Sequence, residues 1–379
     1  MEKNIPKLGP KVPFSTYDIF VYLSPPIMIF ICIYLFERSL VKHKILELTT
    51  PVYSFLDSML KSASKEAFNW GAILALLICL ICIVYIVGHL LATFSSLIID
   101  RVLVYKGYGY PYENMLEIKI ADYKLISRKF YRGSFFWINF ILLVFYFHKC
   151  VVFFNLPELL FPIVIYILLV LFFLFIILKL IFSARYHNES TIPAAWKKIF
   201  TFFSWPYDLL SGFLATYINP RRAINPGFVR EFKKQFKYKF SLNSDESETN
   251  NFWLPYIHVS ENSVNMGAAL TNWLNLYSLS RNLSFSFYLL FLYSGFVFSF
   301  QIGRIELKMH GAFFIFPISM FILSLILLIR FYYLYSSYYT KYTLRAFYVL
   351  QKEKNIPRAP SNRRRIQPTV GRGVGQRRG

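Results

Sequence analysis

Residues Gly71 to Ile99 read GAILALLICLICIVYIVGHLLATFSSLII, a run without a single Asp, Glu, Lys or Arg. About 20 apolar residues of helix cross the hydrocarbon core of a bilayer. This run is long enough to span and also to tilt or protrude, so it predicts a transmembrane helix. Outward from it, five more runs of the same kind appear. Ile19–Phe36 lies upstream, and Phe135–Phe154, Pro157–Phe182, Asn282–Ile302 and Gly311–Tyr335 lie downstream. Only Asn155 and Leu156 separate the third and fourth, which predicts an antiparallel hairpin. The expected fold is all-α: a polytopic membrane helix bundle of about six transmembrane helices with helical cytoplasmic extensions.

Composition agrees. Of 379 residues, 56% are hydrophobic and 16% charged, against about 25% charged in an ordinary soluble domain. Pro25 and Pro26 each remove a backbone donor and are expected to kink the first span; a packing kink and a gate hinge both fit. Pro317 sits in the early turns of the sixth. Phe200–Ile218 is also apolar, but Trp205-Pro206-Tyr207-Asp208 interrupts it and Gly212 follows. It reads as an interfacial or re-entrant segment. The amino terminus has no cleavage site of the secretory type, so the first run is read as a retained span.

The net charge of +22 would suggest nucleic acid in a soluble protein. Here its distribution reads first as topology. Seven Lys and Arg fall between Arg101 and Arg132, eleven between Arg185 and Arg281, and eleven from Lys341 to the end. The intervening turns carry none (third to fourth span) or two (Arg304 and Lys308), and residues 37–70 carry five against four acids. Cytoplasmic loops collect the positive charge. The alternation therefore predicts an inner-membrane, multi-pass protein with both termini in the cytoplasm.

Four regions follow. Residues 1–183 hold spans 1–4 with their loops. Residues 184–281 form a cytoplasmic and interfacial helical segment, with a basic helix near Phe228–Lys239 and a helix Ser260–Asn282 running into span 5. Residues 282–350 hold spans 5 and 6, the latter continuing as a helix through Tyr335–Leu350. Residues 351–379, rich in Arg, Gly, Pro and Ser, cannot build a core and are expected to be a disordered basic tail.

Catalytic patterns are missing: no G-x-S-x-G, no H-E-x-x-H and no phosphate-cradling glycine loop occurs. The sequence thus leans away from an enzyme and implies no catalytic residue, cofactor or metal. Cys79 and Cys82 share a helix face, but no cation stands near to stabilise a thiolate. His89, seven residues beyond Cys82, is about 10 Å along the axis, too far to share one ion with them. Buried packing thiols are the simpler reading.

Ionisable groups inside apolar runs are the candidates for function. His89 lies about three turns from the cytoplasmic end of span 2. Lys149 lies in the outer third of span 3, where it either snorkels outward or rings a pore mouth. Arg281, beside Asn282, sits where the cytoplasmic helix meets span 5, Arg345 lies on the extension of span 6, and Asp100-Arg101 closes span 2. A polar cluster at the membrane face is expected from these, as an anchor or a ligand site. Arg363, Arg364 and Arg365 in the tail are candidates for binding anionic lipid or another polyanion.

The run Gly88-His89-Leu90 through Ser96, followed by Tyr108-Gly109-Tyr110-Pro111, resembles a pattern in bacterial multi-pass membrane proteins. So do Ser280-Arg281-Asn282 and Arg345-Ala346-Phe347. Proteins of similar size serve as membrane effectors in anti-phage systems, the Hailong-type channel effector among them. In that family a partner nucleotidyltransferase makes a DNA oligomer that holds the effector closed. Its functional residues do not map position by position here, so the resemblance assigns no roles.

The resulting expectation is an oligomeric channel or membrane effector gated from the cytoplasm. Its partners would be the lipid bilayer, further copies of the chain, a cytoplasmic protein, and an anionic ligand such as a nucleotide, oligonucleotide or lipid headgroup. Two alternatives stay open: a membrane anchor or scaffold that recruits cytoplasmic partners, and a lipid-modifying enzyme or transporter built on His89 and Arg281.

Overall fold

The computed structural model describes residues 19–42, 50–63, 70–118, 122–153, 193–202, 204–205, 225–242, 250–301 and 312–355, with scattered helical positions between 166 and 181. Prolines set the start of the first long helix. A wide π-helical turn, Ile19–Leu23, leads into α1, Ser24–Lys42. Pro25 and Pro26 therefore occupy the first turn of α1, where a missing N–H costs least. The disruption expected at the proline pair takes the form of a change of helix type just ahead of it.

The remaining elements are α2 (Pro51–Ala63), α3 (Trp70–Ser95), α4 (Pro111–Met115), α5 (Asp122–Phe153), α6 (Pro226–Phe240), α7 (Asn250–Asn262), α8 (Val264–Gln301), α9 (Ala312–Tyr333) and α10 (Lys341–Asn355). A π-helical stretch, Ser96–Tyr108, carries α3 onward. Another, Leu334–Thr340, joins α9 to α10 without a break. No strand occurs among the described residues, so the fold is the helical bundle that the apolar runs predict.

Three described stretches are long and apolar enough to cross a membrane: Val21–Lys42, Leu77–Glu113 and Ile315–Glu353. The chain is thus a helical membrane protein. Of the other predicted runs, Phe135–Phe154 falls on α5 and Asn282–Ile302 on α8. Pro157–Phe182 lies mostly outside the described residues, and so does the basic tail, except that 351–355 continue α10 as helix with Gln351 buried rather than belonging to a tail without packing; Arg363, Arg364 and Arg365 lie outside them.

The α8–α9 pair is the spine of the bundle. Its helices run antiparallel, joined by rings at successive levels: Phe291 with Phe321 (5.0 Å), Tyr277 with Phe331 (5.9 Å) and Trp273 with Tyr338 (4.5 Å). Midway, Ser284 and Ser324 are both buried, and each hydroxyl donates to the other's backbone carbonyl at 2.8 Å. Such hydroxyls act as interhelical glue where water is excluded.

Around this spine two cores form. One joins α1, α3, α8 and α9 through Ile29, Leu91, Phe285, Leu290 and Phe331. The other joins α6, α7, α8 and α10 through Phe232, Phe236, Val259, Leu270 and Phe347. Tyr277 and Tyr335, 5.2 Å apart, pack against both. α8 has 38 residues, about 57 Å at 1.5 Å per residue. It exceeds the hydrocarbon thickness and carries the second core clear of the first.

Candidate functional site: a polar junction at the end of the membrane bundle

The junction begins with the proline pair. In an α-helix the carbonyl of Val21 would accept from the N–H of residue 25, and in a π-helix from residue 26. Both are proline and have no N–H. Val21 itself is 1% exposed, and a buried carbonyl must find a donor. It finds one 261 positions away: Asn282 Nδ2 donates to the Val21 carbonyl at 3.0 Å.

The neighbouring carbonyl, of Tyr22, loses its α-helical donor to Pro26 and faces Gly88 on α3. A Cβ placed on Gly88 would lie 1.8 Å from that oxygen. Only glycine permits this approach. The contact pairs the turn before α1 with α3 backbone to backbone, a setting in which Cα–H to carbonyl contacts contribute.

Asn282 is fully buried. Its Oδ1 accepts from Ser95 Oγ at 2.5 Å and from Arg281 Nε at 3.2 Å. Arg281, 8% exposed, extends Nη1 to Asp100 Oδ2 in a short ion pair, and Ser96 Oγ donates to the same carboxylate oxygen at 3.1 Å. One polar network therefore ties α8, the α3 extension and the turn before α1 at a single level. A buried cation keeps its charge only with such partners.

Sequence reasoning brought Asp100 and Arg281 to the same membrane face, and the structure joins them. It places the other candidates elsewhere. His89 is exposed on α3, stacked on Tyr22 (4.0 Å) and edge-on to Tyr85 (4.5 Å); it adjoins the junction through Tyr22. Arg345 is exposed on α10, away from the junction in the second core. The side chain of Lys149, near the end of α5, falls outside the described residues. Cys79 and Cys82 are exposed free thiols on α3. Among the described residues no cluster of His, Cys, Asp and Glu is arranged to hold a metal ion.

Three further polar contacts were not foreseen. Glu37, at the edge of the first apolar run, is fully buried. It accepts from Tyr293 Oη in a short hydrogen bond and from the Thr50 N–H at 2.9 Å, tying α1 to α8 and to the start of α2. Arg128 on α5 pairs with Glu113 at 2.6 Å, and Glu113 also accepts from the Tyr110 N–H at 3.1 Å. The guanidinium lies flat on Gly109, whose φ of +79° and lack of Cβ make room for it. On the second core, His258 contacts Gln351 (2.7 Å) and Asn262 (3.2 Å). Glu37 carried a weak signal, as an acid at the edge of an apolar run; nothing local marked Glu113 or His258.

Compared with known proteins, the chain matches no family model, no curated protein and no solved structure.

Proposed function

We propose that this protein is an oligomeric membrane channel or effector, opened or closed from the cytoplasmic side. One observation carries the reading: α8 and the α9–α10 helix run unbroken from the membrane core into a second, separate core, with the Asp100–Arg281–Asn282 network where the two meet. A ligand bound to the second core would shift α8 and α10, and the network is where that shift meets the first and second apolar helices. Such a ligand acts only by binding the open and closed arrangements unequally.

The charge alternation supports six spans in an inner membrane with both termini in the cytoplasm. The basic face of α6, with Arg230, Lys234 and Lys237 exposed, favours an anionic ligand. The setting in bacterial anti-phage defence rests on the resemblance noted above.

The same basic face also supports a second reading, a scaffold that recruits a cytoplasmic partner. Planar-bilayer recording separates the two. Discrete openings that respond to an anionic cytoplasmic ligand, and that change in Arg281→Gln, support a gated channel. A silent bilayer containing folded, oriented protein refutes it, and stable co-purification of a partner then supports the scaffold. Disulfide cross-linking through exposed Cys79 and Cys82 tests whether copies meet along α3.

A further inference from the structure

The helical stretch 194–202 with 204–205 has two unlike faces. Phe200 (1% exposed) and Ser204 (fully buried) turn inward, whereas Phe202 and Trp205 are 73% and 60% exposed. The inward face docks on α5. Phe200 meets Phe130 edge-on at 6.2 Å, and Lys129 Nζ donates to Thr201 Oγ1 at 3.1 Å. The outward stripe places Lys198, Phe202 and Trp205 at i, i+4 and i+7, one side of a helix, with Lys197 exposed alongside.

The height of this contact on α5 decides what the stripe meets. From Phe135 to Phe147, α5 carries no charged residue, so the hydrocarbon begins near Phe135. Phe130 lies five residues earlier, about 7.5 Å along the axis. The headgroup layer is roughly 5–7.5 Å deep on each side of the hydrocarbon. The docking contact therefore lies in the outer part of the headgroup layer, and the stripe beside it pairs amphipathic rings with lysines. Rings of this kind settle at that depth, and lysines there attract anionic lipid.

We propose that Lys197, Lys198, Phe202 and Trp205 form a seat for an anionic phospholipid. The lysines take the phosphate of the headgroup, and the two rings pack against the headgroup and glycerol region. The inference rests on the six-span reading, in which α5 crosses the bilayer, and does not depend on how the bundle is gated.

The test uses the full-length protein in nanodiscs. Trp205 emission is isolated as the difference between wild type and Trp205→Phe. Lipids brominated near the headgroup end of the chain should quench it more than lipids brominated at mid-chain, and aqueous iodide should quench it least. In parallel, native mass spectrometry compares retained phosphatidylglycerol with phosphatidylcholine. Lys197→Gln with Lys198→Gln should lower phosphatidylglycerol retention by at least tenfold, since each lysine contributes roughly fivefold, and leave phosphatidylcholine unchanged. Phe202→Ser should lower both.

Dominant iodide quenching would overturn the proposal by showing a water-facing stripe. Equal retention of both lipids in wild type would overturn the anionic preference. Shielding of Trp205 that rises with protein concentration would assign the stripe to a second copy instead. Lys197 and Lys198 are both exposed, Lys198 on the stripe itself and Lys197 on the Thr201 side, and a circular-dichroism melt confirms that the charge variants fold.

Discussion

Replacing Asn282 by Leu keeps the side-chain volume close and removes three hydrogen bonds at once. Their losses are unequal. Ser95 Oγ can turn to the Ala92 carbonyl at 3.0 Å, and Arg281 keeps its charge paired at Asp100. Val21 has no fallback, because both helical donors are proline. An unsatisfied buried carbonyl costs about 1–3 kcal/mol, and measured interhelical bonds in membranes reach about 1.7. Asn282→Leu should therefore destabilise by about 2 kcal/mol.

The decisive experiment is the double-mutant cycle with Pro25→Ala, which gives residue 25 an N–H four positions from Val21. In that background Asn282→Leu should cost only about 1 kcal/mol, a coupling of roughly 1 kcal/mol that exceeds the usual additivity error of about 0.5. Reversible unfolding of detergent-solubilised protein, titrated with denaturing detergent, measures all four corners. Equal costs in both backgrounds would refute the claim that Asn282 serves the carbonyl freed by the prolines.

Other perturbations follow from the same geometry. Gly88→Ala must move the Tyr22 carbonyl or α3 by about 1 Å or more to reach ordinary contact, and should cost about 1–3 kcal/mol. Gly295→Ala, with open space around its Cβ, should be neutral or gain up to about 1 kcal/mol in helix propensity; thermal melts of the two variants compare them directly. Arg128→Met leaves Glu113 buried without its cation and should cost about 3–5 kcal/mol. Adding Glu113→Gln should recover part of that in the same melt. Ending the chain after Asn355, which keeps the buried Gln351 on His258, should leave the melting temperature unchanged if 356–379 contributes no packing, while any loss of anionic-lipid or polyanion binding in a flotation assay would assign that role to the arginines.

Which parts of this were legible depends on the range of the interactions. The helices were readable because the length of an apolar run and the positions of prolines are local properties. Asp100 and Arg281 were readable as neighbours because each closes an apolar run at the same membrane face. The freed carbonyl at Val21 was half readable: Pro25 and Pro26 announce it, but its donor lies 261 positions away, and Asn282 looks like any polar residue at a helix boundary. The Glu113–Arg128 pair was hidden among basic residues that topology alone explained. Nothing around Gly109 announced the guanidinium that fills its space.

The reciprocal bonds between Ser284 and Ser324 limit how this protein can move. Sliding α9 along α8 by a single residue, about 1.5 Å, would stretch both bonds together, since each hydroxyl is anchored to the other helix's backbone. The pair therefore behaves as one strut under axial load. Compliance is left to the wider helical turns at Ile19–Leu23, Ser96–Tyr108 and Leu334–Thr340, whose five-residue spacing can tighten to four. A displacement imposed on α8 would thus carry α9 with it at this level, and helix re-winding would fall on those three stretches.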